Sequence, residues 1–142
     1  MSTNVLSGKQ IRRNWYHVDA KDQVLGRLAQ DVANKLMGKQ KVNYVPYLDN
    51  GDFVVVTNAS QVKVTGKKAT QKTYYHHSGY PGGLRAETFD KLIQRRPTEV
   101  IRHAVKGMLP KNKLGRSMIT KLHVYAGENH PFEKQLGKGE GR

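Results

Sequence analysis

Phe53-Val54-Val55-Val56-Thr57 is an unbroken run of β-formers with no polar residue before Thr57. A strand with one wet face alternates apolar and polar positions; a run without alternation suits a strand covered on both faces. Such strands occupy parallel sheets, and parallel neighbours need crossovers, usually helical ones. The chain supplies them on both sides of the run. Leu25, Leu28, Ala29, Val32, Ala33, Leu36 and Met37 fall at helical spacing, and Gly38 stands where a left-handed residue ends a helix. Phe89, Leu92 and Ile93 open a second such stretch, and Pro97 suits the first position of a third helix. Val100, Ile101, Ala104, Val105, Met108 and Leu109 form its apolar stripe until Pro110 stops it, and Leu114 to Ile119 suits a short helix. Trp15 to Ala20 and Leu122 to Ala126 read as strands, and Val62 with Val64 as a shorter one closed by Gly66. Lys67 to Gly83 reads as a loop with a strand-like piece at Thr73 to His76.

These elements predict an α/β domain with a mainly parallel sheet over residues 15–127, a basic N-terminal arm over 1–14 and an extended tail over 128–142. At 142 residues the chain holds one domain of ordinary size. It has no cysteine, so neither a disulfide framework nor a thiolate metal site is available. No run reaches the ~18 apolar residues of a membrane span, and Met1 to Arg13 lacks the apolar core of a secretory signal.

Charge narrows the function. Lysine and arginine number 25 against 11 acidic residues, a net charge of +14. No acidic residue stands between Asp52 and Glu87, or between Glu99 and Glu128. Self-repulsion of this size opposes folding, which points to a polyanionic partner, most commonly a phosphate backbone. The second window carries Lys106, Lys111, Lys113, Arg116 and Lys121, with Gly107 and Gly115 permitting close backbone approach. The first carries Lys67, Lys68, Lys72 and Arg85 around Tyr74, Tyr75, His76, His77 and Tyr80, and glycines 79, 82 and 83. Lysines there supply sequence-blind phosphate affinity, and rings can stack on exposed bases. Arg12, Arg13, Lys39 and Lys41 make a third basic group.

Catalytic signatures are lacking: there is no phosphate-loop, dinucleotide, nucleophile-elbow or zinc-protease motif. His76 and His77 are adjacent in an extended piece, so their side chains diverge, and no carboxylate lies nearby to complete a metal site. Asp19 and Asp22 precede the first helix, where a capping role is expected. Two rivals to a scaffold stay open on the residues alone: an RNA-modifying enzyme of the methyl-transfer kind, and a general DNA-binding protein.

Val105-Lys106-Gly107-Met108-Leu109-Pro110, then Leu114-Gly115-Arg116, then Leu122-His123-Val124-Tyr125-Ala126-Gly127 closely resembles the characteristic segment of the L-thirteen family of large-subunit ribosomal proteins. Trp15-Tyr16, Val18-Asp19-Ala20, Leu25-Gly26-Arg27-Leu28-Ala29, Gly51-Asp52, Asn58-Ala59, Val64-Thr65-Gly66-Lys67-Lys68, Ser78 to Gly83 and Arg96-Pro97 fit its bacterial-type pattern, in order, from about Trp15 to Pro131. The chain departs from that pattern at Tyr47 and after Pro131, where Phe132-Glu133-Lys134-Gln135 stands. The resemblance implies a three-layer α/β fold and a structural, non-catalytic role without cofactor, metal or small-molecule substrate. Its implied partners are large-subunit ribosomal RNA and neighbouring ribosomal proteins, with action early in assembly. The implied location is a cytoplasmic ribosome, an organellar one being the alternative.

Overall fold

The computed structural model describes residues 6–138. Residues 1–5 of the expected arm and 139–142 of the expected tail lie outside the described residues. The elements run β1 (Trp15–Asp19), α1 (Leu25–Met37), β2 (Phe53–Thr57), α2 (Lys68–Gln71), β3 (Thr73–His77), β4 (Leu84–Thr88), α3 (Phe89–Arg95), α4 (Pro97–Met108), α5 (Lys113–Ile119), β5 (Leu122–Val124) and α6 (Glu133–Lys138).

Strands β1, β2 and β5 form a parallel sheet with β2 in the middle. Val54, Val55 and Val56 are fully buried, as the unbroken run requires. Alternation divides the sheet into two faces. Val18, Val54, Val56, Leu122 and Val124 face the main core, where the stripe of α1 and Val100, Ile101 and Val105 of α4 pack. Trp15, His17, Phe53, Val55 and His123 take the opposite face, by the registers Trp15 with Phe53 and Val55 with His123. There Trp15 stacks on Phe53 at 4.4 Å, and Phe132 lies 5.1 Å from Trp15 and 4.4 Å from His123. Over residues 128–138 the chain is therefore not the extended tail expected: it folds back, seats Phe132 on the sheet and forms α6 against β1.

Gly38 ends α1 with φ of +79°, and its N–H reaches the Asn34 carbonyl at 2.9 Å. Asp19 and Asp22 do not cap α1, whose N-cap is Val24. Asp19 instead accepts from the Lys21 backbone N–H and the Asn58 side-chain amide, both at 2.9 Å, and Asp22 pairs with Lys63 at 2.8 Å. Those hydrogen bonds, the Asn58 one foremost, lower the pKa of Asp19. The short strand expected at Val62 to Val64 reduces to one parallel bridge between Val24 and Lys63, because a 3-10 turn at Ala59–Gln61 redirects the chain.

Candidate nucleic-acid interface

The basic stretch expected to be mostly loop, Lys67 to Gly83, is more ordered than its composition suggests. Lys68 opens the one-turn α2, and β3 pairs antiparallel with β4 as a two-stranded arm. Its base is half-buried at Thr73, Tyr74, Glu87 and Thr88, and its tip is exposed from Tyr75 to Arg85, apart from half-buried Gly83. The turn between the strands needs glycine where φ is positive, at Gly79 (+91°) and Gly82 (+71°). His77 Nδ1 accepts the Gly79 N–H at 2.9 Å, so this ring is engaged by the turn, while the neighbouring His76 points to the opposite side of the strand. Tyr75 and Tyr80 are 71% and 76% exposed, surfaces on which a base can stack.

Tyr74 links this arm to α4. Lys72 Nζ sits 5.6 Å from the Tyr74 ring centroid, and the ring meets His103 edge-on at 5.3 Å. Burial pushes the Tyr74 hydroxyl pKa up, and its oxygen is buried with no hydrogen-bond partner among the described residues. A cavity of about 770 Å³ is lined there by Tyr74, His76, Arg85, Arg95 and His103, among others. His103 also lines a second cavity, of about 480 Å³, with Lys106, Lys111 and Arg116. The two basic regions that looked separate in sequence therefore meet across one histidine. Sequence reasoning missed His103: a single histidine on the polar side of an amphipathic helix carries no motif, and only the packing of Tyr74 marks it out.

Pro110 breaks the helix, and α5 starts at once with Asn112 as its cap, the side-chain oxygen accepting the Gly115 N–H at 2.9 Å. A Cβ on Gly115 would overlap the Pro110 carbonyl oxygen, so this glycine lets the chain pack on itself, whereas Gly107 faces open space. Lys106, Lys111, Lys113 and Arg116 are all exposed, and none has a carboxylate partner among the described residues. Lys67, Lys68, Lys72 and Arg85 are likewise exposed and without ion pairs among those residues.

Two expected phosphate contacts are corrected. Lys121 is buried: its ammonium pairs with Asp49 and donates to the Leu36 carbonyl at 3.3 Å. Burial pushes its pKa down, and Asp49 pulls it partly back. Lys41 is half-buried, 2.7 Å from the fully buried Asp52 and 2.9 Å from the Arg12 carbonyl. Asp52 also accepts the Asn14 N–H, and Arg13 donates to the carbonyls of Asp49 and Gly51. These charges gather where the three parallel strands begin, and they hold the segment before β2 in place. Arg12 and Lys39 stay exposed at that end, away from the cavities lined by His103.

Among the described residues no group of three side chains could hold a metal ion, and no helix is long and apolar enough to cross a membrane. The family profile described as "Ribosomal protein L13" matches residues 13–131. The chain belongs to the ribosomal protein L13 family. Its relatives carry the name "Large ribosomal subunit protein uL13". That of Trichormus variabilis is 58% identical over 92% of this chain and 86% of its own. That of Syntrophus aciditrophicus is 53% identical over 97% of both chains, and that of Legionella pneumophila 51% identical over 97% and 96%. Membership confirms the resemblance read from the segment around Lys106 to Gly127, and the family is structural rather than enzymatic.

Proposed function

We propose that this protein is a structural component of the large ribosomal subunit, binding folded large-subunit ribosomal RNA beside neighbouring ribosomal proteins and helping that RNA to fold during assembly. The observation that carries the reading is the continuity of the cationic surface. Lys72, Tyr74 and His103 follow one another in contact, and His103 shares a cavity with Lys106, Lys111 and Arg116. Glu87 and Glu99 line the cavity beside Tyr74 and His103, but Glu87 pairs with Arg95, and Lys72, Lys106, Lys111 and Arg116 have no carboxylate partner among the described residues, so their charge is left for phosphate. Lys67, Lys68, Lys113 and Arg85 extend it, and the rings of Tyr75, His76 and Tyr80 lie beside it. Arg12 and Lys39 offer a separate contact at the other end. Shape rather than sequence governs such binding to helical RNA, whose deep groove is too narrow for side-chain reading.

Binding to large-subunit ribosomal RNA, titrated at several salt concentrations, tests the proposal. If about eight phosphates are neutralised, the log–log slope is on the order of −6 to −7. A slope near zero, or failure to co-sediment with large subunits in a sucrose gradient, overturns it.

A further inference from the structure

The cavity between α4 and α5 has a chemistry of its own. At about 480 Å³ it falls within the ~300–1,000 Å³ typical of small-ligand sites, and its mouth is open. Leu109, Pro110 and Ile119 give it apolar walls, while Lys106, Lys111 and Arg116 bring three cations to it and no acidic residue lines it. A helical RNA surface presents phosphates and has nothing to put into an apolar recess. An unpaired base does: its faces are apolar, its edges are polar, and it always carries its phosphates with it. The remaining polar group fits that edge. Asn112 uses its side-chain oxygen to cap α5, which leaves its amide nitrogen with no acceptor among the described residues.

We propose that this cavity receives a single unpaired nucleotide extruded from the bound RNA, the base against Pro110 and Ile119 and the flanking phosphates on Lys106, Lys111 and Arg116. The inference rests on the RNA-binding reading and sharpens it: the surface reads phosphates by charge and one bulge by shape.

Two stem-loop RNAs of the same sequence, one fully paired and one with a single-nucleotide bulge of 2-aminopurine, test it. The protein should bind the bulged stem about tenfold more tightly or better, given the size of single-base contributions. The fluorophore should brighten as it leaves the stack for a pocket walled by aliphatic groups. Gly107→Trp places a large ring where the glycine faces open space at the cavity, and keeps every cation. It should bring the ratio of affinities near one. Asn112→Ser keeps an oxygen to cap α5, removes the amide donor without adding a charge, and should also lower the ratio. Thermal unfolding of both variants checks that they fold. A wild-type ratio near one with a steep salt slope overturns the nucleotide pocket and leaves the RNA reading standing. So does a Gly107→Trp protein that folds and keeps the preference. A flat salt slope on both stems overturns the RNA reading itself and the pocket with it.

Discussion

Side chains of one type hold opposite roles in this chain, and burial separates them. Lys121 and Lys111 both lie in the acid-free window between Glu99 and Glu128, so nothing in their sequence neighbourhood tells them apart. Lys121 precedes β5 and is 5% exposed on Asp49; Lys111 stands in an open turn. Breaking a buried pair strands the other charge, at a loss of about 3 kcal/mol. Lys121→Ala should therefore lower the unfolding midpoint markedly, while the folded protein keeps its salt slope on RNA. The triple variant Lys111→Ala, Lys113→Ala, Arg116→Ala should do the reverse: little change in midpoint, and a slope shallower by about two to three. Equal behaviour of the two proteins would show that the division between inner and outer cations is wrong. The sequence made the count of cations plain but not their assignment. Asp49 lies 72 residues from Lys121, and that pairing exists only once the parallel sheet has formed.

Elements were legible where periodicity was strong. The stripe of α1, the β2 run, and the Pro97 start and Pro110 stop of α4 all stand as read, because each buries one continuous apolar surface. Three elements were not legible, the first being the single turn of α2 within a stretch that reads as loop. Strand β4, Leu84-Arg85-Ala86-Glu87-Thr88, has only one β-branched residue and pairs in an exposed arm, so it lacks both the composition and the burial that mark a strand. Helix α6 follows a short polar stretch after Gly127, which is held to the sheet by His130 stacked on His17 and above all by the ring of Phe132. That ring meets His123, whose pKa is lowered from 6.5 by burial first and by Arg102 second. A base with a folded pKa below its unfolded value binds fewer protons folded than unfolded in the interval between them. Stability from His123 is thus complete above about pH 6.5 and is lost as pH falls through that interval. The unfolding midpoint should drop on acidification, and His123→Phe, which keeps a ring without a titrating group, should flatten part of the drop. An identical pH profile in that variant would remove His123 as a contributor.

At the scale of the whole molecule, one charge imbalance acts in two directions. A net charge of +14 repels itself in the compact state, and salt screens that repulsion within a Debye length of about 10 Å at 0.1 M. Raising ionic strength from low to moderate values should therefore raise the unfolding midpoint of the free protein while weakening its hold on RNA. A midpoint that falls with salt would mean that the few ion pairs, not the unpaired cations, dominate the electrostatics. The layout of the sheet bears on a different matter, the order in which the chain is made. Strand β2 borders β1 on one edge and β5 on the other, and β5, at Leu122–Val124, is made long after β2. Until β5 leaves the exit tunnel, the nascent protein carries a valine-rich edge with open backbone donors and acceptors, the kind of edge on which chains aggregate. Newly made copies are thus most vulnerable in the interval between the emergence of β2 and that of β5, and most in need then of a chaperone or of their RNA.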